Sequence, residues 1–330
     1  HSWTLIGNLV IHSNGSLCQG FIEIFLDHLQ SMGWTGTIEV YGNDEDDGDC
    51  DGIDTEIDCN DSDAMLAFDE DQNGMCDEIC TGSFVISTQE EIDIITNCVE
   101  ITGDLSFVET EFQDFSSIQK LRDIGGTLTI SDNATLTSLE GLNIVQDIGG
   151  ALTLSNNPAL TNIDALGQLQ QIHGDLDLEF NYALLNINGL SELQILEGGI
   201  NLTDNDFIQN VDSLSNLTSI NGELRIFSND ALENIDGLSN TTLIDGDLFI
   251  SSNDALENID GLQSLSTITD GIKIYSNDRI SNLNSLYNIT DISGGVKIYF
   301  NDSLLNIDGL SSLTTLLGDL LVGSNASLEN

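Results

Sequence analysis

Apolar residues recur along this chain with a beat that a single helix or strand would not produce. From Gly246 to Ile268 the sequence reads GDLFISSNDALENIDGLQSLSTI. Leu248 and Ile250 alternate with polar or outward positions, a period of two that predicts a short strand. Leu256, Ile259, Leu262, Leu265 and Ile268 then follow every three residues. That spacing is too tight for a long helix and predicts turns or 3₁₀-like segments that wrap back to the start. The unit recurs. Asparagine stands at 133, 157, 181, 205, 229, 253, 277, 301 and 325, always 24 residues apart, inside the pattern G-x-L-x-I-x-x-N-x-x-L-x-x-I-x-G-L-x-x-L-x-x-I.

One such unit cannot bury its own Leu/Ile set, whereas stacked units bury it as one continuous core. At about 4.8 Å per coil, nine coils would give a rod of about 43 Å. The strict phase of the asparagines predicts an internal ladder, in which each amide satisfies backbone groups at the bend after its strand. The G-x-L-x-I-x-x-N and I-x-G-L units, over about residues 99–330, resemble the leucine-rich-repeat superfamily and, more closely, the receptor L-domain type of solenoid. The resemblance implies a mainly β, right-handed solenoid of 24-residue coils with short capping helices.

The first third repeats the theme. GNLVIHSNGSL (Gly7, Leu9, Ile11, Asn14, Leu17) and GTIEVYGND (Gly36, Ile38, Val40, Asn43) share the phases of the later coils. Between them, Phe21, Phe25, Leu29 and Met32 share one face of an amphipathic helix that Gly33 would stop. Residues 1–43 therefore read as the terminal coils and capping helix of a solenoid. A second array starts after residue 80: Thr88 to Glu91 forms a capping box opening a short helix near Gln89–Thr96, followed by Cys98 and the strand Leu105–Phe107. Three segments result: 1–43, an Asp/Cys-rich linker 44–80, and a solenoid with its N-terminal cap over 81–330.

The linker carries the sharpest chemistry. Asp47, Asp49, Asp51, Gly52 and Asp58 fall at positions 1, 3, 5, 6 and 12 of a calcium loop, and Asp69, Asp71, Asn73, Gly74 and Asp77 at positions 1, 3, 5, 6 and 9. Oxygen ligands on alternate residues before a glycine turn let a short loop surround a hard cation, with the Ile53 and Met75 carbonyls available at position 7. Neither window has the usual Glu at position 12. With interspersed cysteines the segment resembles thrombospondin type 3 repeats and related bacterial Asp-rich motifs, and the combined pattern resembles secreted bacterial surface proteins. All six cysteines (Cys18, Cys50, Cys59, Cys76, Cys80, Cys98) lie in the first hundred residues, which favours extracellular disulfides of open connectivity.

Charge and missing motifs narrow the function. Six Lys+Arg against 56 Asp+Glu give a net charge of −50. Such a chain repels phosphate backbones and anionic lipid, and no apolar run is long enough to span a bilayer. Neither nucleic-acid binding nor membrane insertion is expected. G-x-S-x-G, H-E-x-x-H and P-loop motifs are absent, and His1, His12, His28 and His173 are scattered. Asp206, Asp230, Asp254, Asp278 and Asp302 share one repeat phase, and Asp164, Asp212, Asp236, Asp260 and Asp308 another. Repetition points to turn chemistry rather than acid/base work, so no enzymatic activity is expected.

One face departs from the repeat. Outward strand positions are small or acidic in the early coils (Thr129, Ser131, Thr153, Ser155, Asp177, Glu179) but become Arg225, Phe227, Phe249, Lys273, Tyr275, Lys297 and Tyr299 later. This strip is a candidate contact surface for a glycan, an acidic protein segment or a neighbouring subunit, or simply a set of cross-strand pairs. N-x-S/T sequons outside the ladder phases make Asn201, Asn216, Asn240 and Asn288 candidates for glycosylation.

The readings converge on an extracellular or cell-surface structural and adhesive module stiffened by calcium, the alternative being a receptor-like ectodomain that binds a glycan or protein. The segment from His1 lacks a basic start and a cleavage site, so either a signal has been removed or the chain is part of something longer. The last copy begins at Gly318 without a cap, and Gly7 begins a strand that ends in a capping helix, so copies or adjoining repeats are expected to stack head to tail. The calcium reading has a direct check. Segment 43–80 should order only with Ca2+, because its crowded carboxylates otherwise repel. Scanning calorimetry should show a Ca2+-dependent transition that Asp49→Ala and Asp71→Ala weaken; melting indifferent to a chelator would be the contrary result.

Overall fold

The computed structural model describes residues 9–12, 38–41 and 78–329. Two units divide the chain, 1–79 and 80–330. In the first, the strands Leu9–His12 and Ile38–Tyr41 pair in parallel, Leu9 opposite Ile38 and His12 opposite Tyr41. The expected helix between them lies outside the described residues, as does most of segment 44–80.

The second unit is a β-solenoid. Eleven parallel strands form one long sheet: Phe84–Ile86, Leu105–Val108, Leu128–Ser131, and then one strand every 24 residues to Leu320–Gly323. From Leu128 onward each strand pairs in register with the one 24 residues later, so like positions stack in columns. Two-residue strands such as Asp147–Ile148 and Gln171–Ile172 make a second, narrower ribbon. Short 3₁₀ turns, from Asp164–Leu166 to Asp308–Leu310, complete the later coils, where the earlier ones use simple turns. The three-residue beat thus encodes turns, as its spacing requires. Leu248, Ile250, Leu256, Ile259, Leu262, Leu265 and Ile268 are all at most 2% exposed, so a coil buries its whole apolar set between its neighbours.

The ladder is internal. Asn133 through Asn301 are fully buried at every 24-residue step. The residue before each rung is left-handed, with φ between 52° and 60° across ten coils. That bend takes the chain out of the sheet and would strand peptide groups of the adjacent coil. Asn229 shows the repair. Its Oδ1 accepts the Asn205 N–H at 3.1 Å, and its Nδ2 donates to the Leu202 and Phe227 carbonyls at 3.0 and 3.1 Å. The ladder starts earlier than the asparagine count suggests: the Thr110 N–H and hydroxyl both donate to Asn133 Oδ1, at 2.8 and 2.7 Å.

A further asparagine phase was hidden in the repeat. Asn162, Asn210, Asn234, Asn258 and Asn306 each accept, through Oδ1, the N–H two residues on, at 2.9–3.2 Å. The turn chemistry assigned to Asp164, Asp212, Asp236, Asp260 and Asp308 therefore belongs to the asparagine side chain two residues earlier; the aspartates contribute backbone groups, an N–H to that amide and a carbonyl that accepts the N–H three residues on. The glycine of I-x-G-L answers to coil spacing. A Cβ at Gly237 would lie 1.9 Å from the Val211 carbonyl oxygen of the preceding coil. Where Ser213 and Ser285 occupy this phase, their buried hydroxyls have no partner.

At the start of the unit, Thr88 Oγ1 accepts the Glu91 N–H and the Glu91 carboxylate accepts the Thr88 N–H. This is the predicted capping box. The helix Gln89–Ile92 runs into the 3₁₀ turn Asp93–Ile95. A disulfide joins Cys80 to Cys98 across it; the other four cysteines lie outside the described residues.

Removing a rung should be costly. Asn229→Ala or Asn253→Ala strands buried peptide groups and should lower unfolding free energy by about 1–3 kcal/mol. Asn240→Ala, at an exposed amide, should cost under about 1 kcal/mol. Denaturant titration with a shared m-value checks this, and equal losses at both kinds of site would contradict an internal ladder.

Candidate functional site

The long sheet has a buried face and an outward face, and the outward columns carry the strip. Parallel register places Arg225, Phe249, Lys273 and Lys297 in one column and Phe227, Ser251, Tyr275 and Tyr299 in the next. The seven predicted contact residues are thus brought together on one face. All are half-buried, which is what flanking side chains on a stacked sheet produce. The rings form a run. Phe227–Phe249, Phe249–Tyr275 and Tyr275–Tyr299 have centroids 6.2, 6.0 and 6.1 Å apart.

Its cations are largely spoken for. The Arg225 guanidinium lies 4.3 Å from the Phe249 ring centroid and 5.2 Å from that of Phe227, with Glu223 at 3.9 Å. Lys273 Nζ sits 2.5 Å from Asp247 Oδ2. The Asp247 hydrogen bond holds the Lys273 ammonium above its usual pKa, against the opposing cost of burial. Burial raises the Tyr275 phenol, so both side chains keep their protons at neutral pH. The basic strip of the sequence is therefore, in the fold, a strip of balanced ion pairs and aromatic faces. Three ring contacts and two carboxylate pairings decide this, and the carboxylates Glu223 and Asp247 were not legible as partners from the alternation alone.

Sequence inspection also missed Phe300. It is the left-handed residue before the Asn301 rung, with φ 59°, and its ring centroid is 6.1 Å from that of Tyr299. The signal was available: this phase holds Asp, Asn or Ser in Asp132, Asn156, Asp204, Ser228, Ser252, Ser276 and Ser324, and aromatics only at Phe180 and Phe300.

The candidate glycosylation residues separate into two kinds. Asn216, Asn240 and Asn288 are exposed, as are the threonines two residues on. Each Nδ2 donates to a carbonyl 25 residues back (Ser191, Ser215 and Gln263) at 2.7, 2.8 and 2.9 Å. Asn201 instead lies within the sheet face. Its Nδ2 donates to Glu179, its Oδ1 accepts from Thr203, and Thr203 itself is buried. The candidate calcium residues Asp47, Asp49, Asp51, Ile53, Asp58, Asp69, Asp71, Asn73, Met75 and Asp77 lie outside the described residues. Among the described residues, no group of three His, Cys, Asp or Glu side chains could hold a metal ion, and no helix is long and apolar enough to cross a membrane.

Two other electrostatic features stand on the coil surface. Asp177 is raised in pKa by burial first, then by Asp175 and Glu179. His173 bridges three coils: Nδ1 lies 3.1 Å from Glu197 and Nε2 3.5 Å from Asp147. Its ring nitrogens face opposite carboxylates, which suits an imidazolium clamp. The Glu197 hydrogen bond is the main cause of its raised pKa, opposed by desolvation and aided by the Asp147 charge.

Compared with known proteins, the chain matches no protein-family model and no curated protein sequence.

The clamp gives a pH prediction. A raised folded-state pKa means that His173 contributes fully below the ordinary value of about 6.5 and loses that contribution as pH rises through the raised value. With the His173 and Asp147 side chains about a third exposed and that of Glu197 over half exposed, the gain should stay under about 1 kcal/mol. Thermal melts from about pH 6 to about pH 8.5 should therefore show a decline that His173→Gln abolishes; an identical decline in the variant would place the titration elsewhere.

Proposed function

We propose that this protein is an extracellular or cell-surface structural and adhesive module of leucine-rich-repeat, L-domain-like type, stiffened by Ca2+ bound in the Asp-rich segment 44–80. The observation that carries the reading is self-complementarity. Each coil offers its neighbour the same strand register, the same amide rung and the same glycine-lined approach. A surface of this kind takes up another coil of the same pattern, whether from adjoining repeats or from another copy, and such heterologous contacts propagate along an axis. Stacking is therefore head to tail. The net charge of −50 disfavours nucleic acid and anionic membrane as partners, and the repetition of the acidic phases from coil to coil favours turn chemistry over catalysis.

A second reading has its own support. The strip from Arg225 to Tyr299 concentrates rings and hydrogen-bonding groups on an outward face, as expected of a receptor-like ectodomain that binds a glycan or a protein.

Assembly decides between a module that stacks and one that stands alone. Sedimentation velocity and negative-stain microscopy of the intact chain with Ca2+ should show rods lengthening with concentration. A stable monomer at high concentration with Ca2+ present would remove head-to-tail stacking.

A further inference from the structure

Three observations on the outward sheet face point the same way. First, the rings are continuous. Ser251 is small and only 6% exposed. Phe249 occupies the neighbouring column yet contacts both Phe227 and Tyr275, so the run zigzags past Ser251 and continues through Tyr299 to Phe300. Successive centroids are 6.0–6.2 Å apart.

Second, Phe300 is placed against the interests of the fold. It holds φ 59°, a conformation that a bulky side chain tolerates poorly, and it is 57% exposed. A serine, aspartate or asparagine serves the same phase in seven other coils. An aromatic that is both backbone-strained and solvent-facing signals contact chemistry.

Third, the charge balance selects the occupant. Arg225 is near Glu223 and Lys273 pairs with Asp247, so the strip is close to neutral within a chain of net charge −50. A polyanion would find two of the three cations already engaged and the whole molecule repulsive. The run itself is built of rings and charged groups rather than the aliphatic side chains an apolar helix would need. What the strip does present is a run of aromatic rings, two of them under the Arg225 guanidinium, flanked by carboxylates and an ammonium that accept and donate hydrogen bonds. Pyranose units offer the complement: C–H faces that stack on rings, and hydroxyls that bond to charged groups. The coils advance about 4.8 Å each, close to the advance of one sugar unit along an extended β-linked chain.

We propose that the run Phe227, Phe249, Tyr275, Tyr299 and Phe300 is a platform for a neutral, linear oligosaccharide lying along the coil axis, with about one sugar unit per coil. Glu223, Asp247 and Lys297 bond its hydroxyls. This rests on the second reading above, in which the outward face is a contact surface.

The test is calorimetric titration of the full chain, in Ca2+, with the β-linked hexasaccharides of glucose, xylose, mannose and N-acetylglucosamine, and with a sulfated heparin hexasaccharide. At least one neutral probe should bind, with an affinity little changed by raising salt. Tyr275→Ala and Tyr299→Ala should each weaken it about tenfold, the scale of a lost ring contact. Tyr182→Ala, an exposed aromatic away from the run, should leave it unchanged, and unaltered circular dichroism should confirm that each variant folds. Phe300→Asn should raise the melting temperature by relieving the left-handed strain while lowering affinity, a pairing that a purely structural role would not give. Failure of every neutral probe, binding indifferent to both tyrosine variants, or binding confined to the sulfated probe and abolished by salt would each overturn the platform. A higher melting temperature with unchanged affinity in Phe300→Asn would remove Phe300 from it. Rods that form with Ca2+ while no sugar binds would leave the structural module standing and remove this site alone.

Discussion

From Leu105–Val108 onward each strand of the long sheet is left through a left-handed residue, and that bend is the constraint on which the rest depends. It turns the chain inward within one residue, but it also takes peptide groups out of the sheet where no water reaches them. Leaving such groups unpaired costs about 1–3 kcal/mol each, repeated at every coil. The buried asparagine answers it with one amide that accepts from the previous rung and donates to two carbonyls. Because each rung's partner is the next rung, the repair works only if consecutive coils keep the same phase. The uniform 24-residue step from Asn133 to Asn325 follows from that coupling.

The same coupling sets the glycines and the outward face. Coils held at strand spacing leave no room for a Cβ at Gly237 or Gly261, each of which would meet a carbonyl oxygen of the preceding coil at 1.9 Å. Ser213 and Ser285 occupy this phase at the expense of unpaired hydroxyls, a local frustration the array absorbs. With the interior so constrained, variation is confined to outward positions. There, parallel register turns a change from coil to coil into a pattern along an axis. The early coils spend these positions on Thr, Ser, Asp and Glu, and the later ones on rings and cations.

Electrostatics then acts on a surface already laid out by register. A chain of net charge −50 has few cations, and three of its six lie on the strip. The fold seats Arg225 over two rings and sets Lys273 against Asp247. The result is a nearly neutral aromatic lane on an acidic molecule. On the narrower ribbon, the same stacking puts His173 between Asp147 and Glu197. Both arrangements arise because residues 24 to 26 apart become neighbours on adjacent coils.

Much of this was legible from residue order alone. Period-two alternation in Leu248 and Ile250, the three-residue beat after Leu256, and the phase of Asn229 and Asn253 specify strand, turns and ladder, because each is a local demand on spacing or pairing. Thr88 and Glu91 likewise announce their capping box. What only the tertiary structure decided are relations across coils whose outcome depends on side-chain reach. Among them are the start of the ladder at Thr110, the service of Asn234 rather than Asp236 to the turn, and the pairing of Cys80 with Cys98. The neutralisation of Lys273 by Asp247 and the joining of Phe300 to the aromatic run belong there too. A repeat states which positions stack; it does not state which of several side chains in adjoining columns will meet, since that is set by rotamer, column offset and the space that a neighbour such as Ser251 leaves open.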